Sequence, residues 1–298
     1  MIAEKSTVRH NRPAFEHTDR DVPRQAVDEL VHFRESHSLK HVVVNGVAWE
    51  YFAAGRGSEA LLILPGLLGF GEMSFQHIQA FENDYCVIAP NYPWVFTTVK
   101  QLVDGIVGIL DAEDVQQAHV LGGSYGGMVA QCLVRRYPQR VRSLVLSHTG
   151  GPKPDRAGAN RKFVALLRLL PMRLLRVMLR AATRKSLRDA PAQLPFWEAY
   201  SNEMIARLSK ADLMSRYQVA IDFDASAAFT PDDLKDWPGR SLILEGDNDP
   251  IAEAPAREAL KVLHPHARLH TFHGSGHVAS IAKLDEYVTV IKNFLKAG

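Results

Sequence analysis

The stretch His119-Val120-Leu121-Gly122-Gly123-Ser124-Tyr125-Gly126-Gly127-Met128 decides the fold, because an apolar run that reads as a strand passes through glycines and one serine into a helix-forming segment. It contains the pattern G-x-S-x-G. At average glycine and serine usage such a pattern arises by chance in roughly one chain in ten of this length, so its position carries more weight than its letters. A serine on a sharp strand-to-helix turn needs small residues two before and two after it, since the two backbones nearly touch there. Gly122 and Gly126 meet that demand. Ser124 is then expected to project at the carboxyl edge of a sheet as a nucleophile; a plain glycine-rich connection would account for the glycines alone.

On both sides of this elbow the hydrophobic period alternates. Strands are predicted at 61–64, 86–89, 119–121 and 143–147, with helices at 74–81, 99–110 and 127–136 between them. Such alternation predicts an α/β fold, a mostly parallel central sheet flanked by helices. Ahead of it, strands at 41–44 and 48–52 around Asn45-Gly46 read as a hairpin, preceded by a short amphipathic helix at 23–37. After Gly150-Gly151-Pro152 the alternation stops. It resumes with a strand at 241–245, a helix at 254–263, a strand at 268–272 and a closing helix at 277–295. The chain thus divides into an N-terminal extension (1–40), a core (41–150 and 239–298) and a helical insert (151–238).

In the insert, Arg161, Lys162, Arg168, Arg173, Arg176, Arg180, Arg184 and Lys185 stand among leucines, and no acidic residue lies between Asp155 and Asp189. Two readings stay open. One is a pair of cap helices, broken at Pro171, whose leucines pack on the main domain and whose arginines are solvated. The other is a basic amphipathic surface for peripheral contact with an anionic membrane or an acidic lipid-like ligand. Over the whole chain the charges nearly cancel, 35 Lys+Arg against 33 Asp+Glu for a net charge of +2, so no nucleic-acid partner is expected. With 46% hydrophobic and 23% charged residues, the 298-residue chain has the composition of a globular protein, not a disordered or fibrous one. Its longest nearly uncharged apolar run, 60–70, is interrupted by Pro65-Gly66 and is too short to be a transmembrane segment. Residues 1–40 carry charges throughout and lack an apolar run of leader length, which reads as cytoplasmic. Cys86 and Cys132, in apolar surroundings, are expected to be buried and reduced.

A serine hydroxyl is a poor nucleophile at neutral pH, so Ser124 requires a histidine base oriented by a carboxylate. Both follow in the chain. Asp249, in Gly246-Asp247-Asn248-Asp249-Pro250, comes just after one predicted strand, and His277, in Gly274-Ser275-Gly276-His277, just after the last. Asp247 shares the first loop and competes as the acid. His264, His266, His270 and His273 have no zinc-type spacing with cysteines or carboxylates, so no metal is expected. There is no G-x-G-x-x-G or P-loop, so no cofactor is expected either.

From about 41 to 295 the chain resembles a serine hydrolase of the alpha/beta-hydrolase superfamily. The resemblance implies the nucleophile, acid, base order found here, a triad of Ser124, Asp249 and His277, and a helical lid inserted after strand six, where the insert falls. The superfamily spacing Gly-x-x-Asp, counted from Gly246, selects Asp249 over Asp247. The loop after the third strand, usually His-Gly, reads Leu64-Pro65-Gly66-Leu67-Leu68-Gly69. Since an oxyanion hole uses backbone N–H groups, the missing histidine leaves Leu67 and Tyr125 as the expected donors. The segments Phe33-Arg34, Leu39-Lys40, Ile88-Ala89-Pro90-Asn91-Tyr92-Pro93-Trp94 and Gly122 to Gly127 are similar to the maspardin-like branch, which lacks the histidine and is regarded as non-catalytic; His277 is present here. The resemblance implies a carboxylic ester hydrolase acting through an acyl-enzyme, with a ligand-binding or adaptor protein as the alternative. Leu67, Leu68, Phe70, Met73 and Phe75 favour a hydrophobic small-molecule substrate. His148, at a strand end, reads either as a substrate contact or as a loop histidine satisfied by backbone.

Overall fold

Apolar runs alternating with amphipathic ones produce the elements of the computed structural model, which describes residues 22–297. In order these are α1 (Arg24–Ser36), β1 (Lys40–Val44), β2 (Val47–Ala54), β3 (Ala60–Leu64), α2 (Phe75–Phe81), β4 (Cys86–Pro90), α3 (Val99–Ala112), β5 (Ala118–Gly123), α4 (Tyr125–Arg136) and β6 (Val141–Ser147). Four helices follow: α5 (Pro154–Leu169), α6 (Met172–Ser186), α7 (Leu194–Arg207) and α8 (Lys210–Ser226). The chain closes with β7 (Arg240–Gly246), α9 (Ala254–Leu263), β8 (Arg268–Phe272), α10 (Ala279–Ala282) and α11 (Leu284–Lys296). Residues 1–21 of the extension expected at 1–40 lie outside the described residues.

The strands form one sheet in the order β1-β2-β4-β3-β5-β6-β7-β8. β1 and β2 pair antiparallel, as do β2 and β4, and every later pairing is parallel. Asn45 and Gly46 both have positive φ (50° and 78°), the backbone that a two-residue hairpin matched to strand twist requires. All five residues of β3 are buried because helices cover both sheet faces. Alternation with a period of two sends Leu61, Ile63, Val87 and Leu121 toward Phe33, Ile78, Phe81 and Ile291 on one side. On the other, Leu62, Leu64, Ile88 and Val120 meet Leu102, Ile106, Val129 and Leu133. α1 is tied down by Arg34, which donates to Glu72 (3.1 Å) and to Glu203 of α7 (2.8 Å), while the Tyr200 hydroxyl also donates to Glu72 (3.0 Å).

Several expectations need correction. The expected closing helix breaks at Lys283 into α10 and α11 and starts at Ala279, leaving His277 in the loop ahead of α10. The helix expected from 127 starts at Tyr125, since the elbow turns within one residue. Cys86 and Cys132 are free but half-buried, and burial pushes the Cys132 thiol up to about 12. The insert does break at Pro171, yet its leucines do not all face the main domain. Val164, Leu167, Leu175 and Leu179 are buried, whereas Leu166, Leu169 and Leu174 are 56%, 80% and 50% exposed. Among the described residues no helix is long and apolar enough to cross a membrane.

Candidate active site

β5 ends at Gly123 and α4 begins at Tyr125, so the whole change of direction falls on Ser124, whose φ of 51° and ψ of −115° lie where an L-residue is strained. The strain is held from several sides. Ser124 N–H donates to the Ser147 carbonyl (2.9 Å), and its own carbonyl accepts from Gly127 N–H (3.0 Å) and from the Thr149 hydroxyl (2.9 Å). The turn is tight enough that a Cβ at Gly126 would overlap the Leu64 carbonyl oxygen, and one at Gly122 would stand 2.7 Å from the Gly126 carbonyl carbon. At Gly123 nothing lies within 4 Å of such an atom.

Two loops at the carboxyl ends of β7 and β8 lean on each other. Asn248 N–H donates to the Ser275 carbonyl (3.1 Å), and a Cβ at Gly246 would collide with the backbone of Ser275 and Gly276. This contact brings Asp249 and His277 together. The Nδ1 of His277 lies 3.0 and 2.9 Å from the two carboxylate oxygens of Asp249, and its Nε2 lies 3.0 Å from Ser124 Oγ. Asp249 Oδ1 also accepts the N–H groups of Ile251 (2.8 Å) and Ala252 (2.9 Å). Burial opposes its charge, but the bond and field of His277 with these two donors outweigh burial and hold the carboxyl below its ordinary value. The competing Asp247 instead caps the neighbouring loop, accepting from Gly274 N–H (2.8 Å). Leu67 N–H and Tyr125 N–H make no backbone hydrogen bond among the described residues, and Tyr125 opens α4, where the helix dipole favours negative charge.

Ser124 and His277 border a cavity of about 400 Å³. Leu67, Leu68, Phe70 and Met73 line one side, and Leu179, Ala182, Thr183, Leu187 and Trp197 of the insert line another. Phe75, expected there, is not. Its ring is fully buried against Phe33, Trp197 and Tyr200, because it starts α2 on the core side. His148 does line the cavity, with a positive φ of 48°, its Nδ1 2.8 Å from Ser147 Oγ and its ring 6.0 Å from that of His277. Its Nε2 has no partner.

Two residues here gave no sequence signal. His77 of α2 lines the cavity, half-buried, with an unpartnered Nε2. Arg216 of α8 is 2% exposed, donates to the Tyr92 carbonyl (2.8 Å) and packs on Gly69, so it braces the Gly66–Gly69 turn from behind. A lone histidine and one arginine among many carry no spacing that marks them. Among the described residues no group of three or more His, Cys, Asp or Glu side chains is arranged to hold a metal ion.

Burial lowers both His77 and His148 to about 4, with the neighbouring His277 adding to the effect on His148. Unfolded histidine titrates near 6.5, so between pH 6.5 and 4 the unfolded chain binds protons that the native chain refuses. Stability is therefore full above pH 6.5 and falls as the pH drops toward 4, by up to about 1.4 kcal/mol per pH unit for each histidine. Urea unfolding at stepped pH should show this slope, and His77→Phe should reduce it by one histidine's increment. An unfolding free energy that stays level across this range would refute the assignment.

Over residues 59–284 the chain matches the family described as alpha/beta hydrolase fold. It is 31% identical over 194 residues to the 2-hydroxymuconate semialdehyde hydrolase of Pseudomonas putida, covering 65% of this chain and 67% of that one. Maspardin of Danio rerio is 32% identical over 125 residues, 39% of this chain and 40% of maspardin. Among solved structures, a hydrolase from Pseudomonas aeruginosa PA01 has a TM-score of 0.74 at 20% identity, covering 87% of this chain and 98% of that one, a likeness of fold.

Proposed function

Since this chain belongs to the alpha/beta hydrolase fold family, we propose that it is a serine hydrolase that opens an acyl bond of a hydrophobic small molecule through Ser124, His277 and Asp249. The observation that carries this reading is the unbroken hydrogen-bond chain from Ser124 Oγ to His277 (3.0 Å) to Asp249 (2.9 Å) at the edge of an apolar cavity. His277 takes the proton of Ser124 as the hydroxyl attacks the substrate carbonyl, and Asp249 holds the ring in the tautomer that allows this. Leu67 and Tyr125 N–H groups stabilise the oxyanion. The leaving group departs with the proton from His277, and water, deprotonated by the same ring, releases the acid from the acyl-enzyme. Residues 151–238 act as the lid; Leu68 and His148 contact substrate, the latter through its unpartnered Nε2.

The apolar lining favours a hydrophobic acyl or alkyl group, and an ester is the first reading of the bond. A second reading, C–C hydrolysis of an activated ketone, is favoured by the likeness to the 2-hydroxymuconate semialdehyde hydrolase, and the imidazoles of His77 and His148 give such a substrate's polar end a partner. A p-nitrophenyl ester series from acetate to decanoate tests the first reading. Turnover that rises with chain length to a medium acyl group supports it. No turnover of any ester, together with cleavage of a 2-hydroxy-6-oxo-dienoate, transfers the reading to C–C chemistry.

A further inference from the structure

We propose that the α5–α6 hairpin is a docking surface for an anionic lipid bilayer, a role independent of the bond cleaved. Of the thirteen large apolar side chains exposed among the described residues, six fall here: Phe163, Leu166, Leu169, Leu174, Val177 and Met178. Leu169 is the most exposed of the thirteen at 80%. At 100° per residue, Leu174, Val177 and Met178 share one arc of α6 about 100° wide, and Arg173, Arg180 and Arg184 occupy the arc beside it. The buried stripe, Leu175 and Leu179, lies on a third side. A helix that is apolar toward the protein and again toward solvent is not explained by core packing alone.

The charges decide what covers this face. Arg161, Lys162, Arg168, Arg173, Arg180 and Lys185 have no carboxylate within ion-pair distance among the described residues, whereas Arg184 meets Glu198 (3.6 Å) and Arg176 is spent on the Ala206 and Leu208 carbonyls. No acidic residue occurs between Asp155 and Asp189 to offset them. A second copy of the chain packed about a two-fold axis would set six unpaired cations against six. A nucleic acid would satisfy the cations but leave the leucines in contact with phosphate and water. An anionic bilayer answers both demands, headgroups for the cations and the acyl boundary for the leucines. Leu179, Ala182 and Thr183 of the same helix line the cavity, so a bilayer under α6 would hold lipophilic molecules beside the site.

Sedimentation with phosphatidylcholine vesicles, and with vesicles containing one quarter phosphatidylglycerol, tests this at about 0.05 M and about 0.5 M salt. The full-length protein should pellet only with the anionic vesicles and be largely released at high salt. The triple variant Arg168→Ala, Arg173→Ala, Arg180→Ala should bind on the order of a hundredfold more weakly at low salt, at about fivefold per cation. Leu169→Ser, Leu174→Ser, Val177→Ser should weaken binding at least about tenfold. Both sets lie outside the cavity, so unchanged thermal melting should accompany them. No pelleting at low salt overturns the proposal, as does pelleting that neither variant weakens. Binding lost with the cations but untouched by the serines also overturns it, and identifies the face as a site for a soluble polyanion or acidic protein.

Discussion

Asp249→Asn is expected to lower kcat about 10⁴-fold on any ester the enzyme turns over, with KM little changed. The reason lies in what the amide must do. Ile251 and Ala252 N–H groups donate to Oδ1, which fixes the amide oxygen there and turns the new NH₂ toward His277. Nδ1 of His277 must then accept, which moves its proton to Nε2, the atom that has to receive the proton of Ser124. Ground-state geometry survives while the base is lost, so binding persists and turnover does not. Asp247→Asn should leave kcat near the wild-type value, because that carboxylate caps the loop at Gly274 and pairs with His273, outside the Ser124–His277–Asp249 chain. Full activity in Asp249→Asn with loss in Asp247→Asn would reverse the assignment of the acid.

Gly126→Ala is expected to cost about 3 kcal/mol or more in unfolding free energy and to abolish ester turnover. Its new methyl group meets the Leu64 carbonyl oxygen and the backbone of Pro65, atoms of β3 and its loop with no rotamer to yield. Relief would come from moving α4 off the sheet, which carries Ser124 away from His277 and Tyr125 N–H away from Leu67. Gly123→Ala, two residues from Tyr125 with open space around its Cβ, should stay within about 1 kcal/mol of wild type. Denaturant midpoints of the two variants check the contrast; equal midpoints would mean that the elbow is looser than its geometry requires.

The elbow was legible because its chemistry is local: strand, glycines, serine and helix follow one another, and their steric demand fixes which residues fit. The positions of Asp249 and His277 were legible for a related reason, since each follows directly on an apolar strand whose carboxyl end is part of the sheet edge. The break at Lys283 was not, because 277–295 keeps an amphipathic period through it. Phe75 was read as a pocket residue from its closeness in sequence to Leu68 and Phe70. The turn of α2 sends it the other way, into a ring cluster with residues of α1 and α7 more than forty and a hundred positions distant. His77 illustrates the same limit: whether a histidine faces a cavity depends on packing between helices, and no spacing records it. The split loyalty of the leucines in α5 and α6 was likewise hidden, since a run with leucines all around a helix does not say which of them meets protein.

The most direct test of the account is labelling with a fluorophosphonate, which reads nucleophile activation without requiring the natural substrate. The purified wild-type chain should take up one equivalent, with the adduct mapping to the peptide that carries Ser124. Ser124→Ala and His277→Ala, both folded by thermal melting, should take up none. A folded wild-type chain that fails to label, or that labels equally in Ser124→Ala, would contradict the catalytic reading and move the protein toward the binding role that maspardin-like chains suggest.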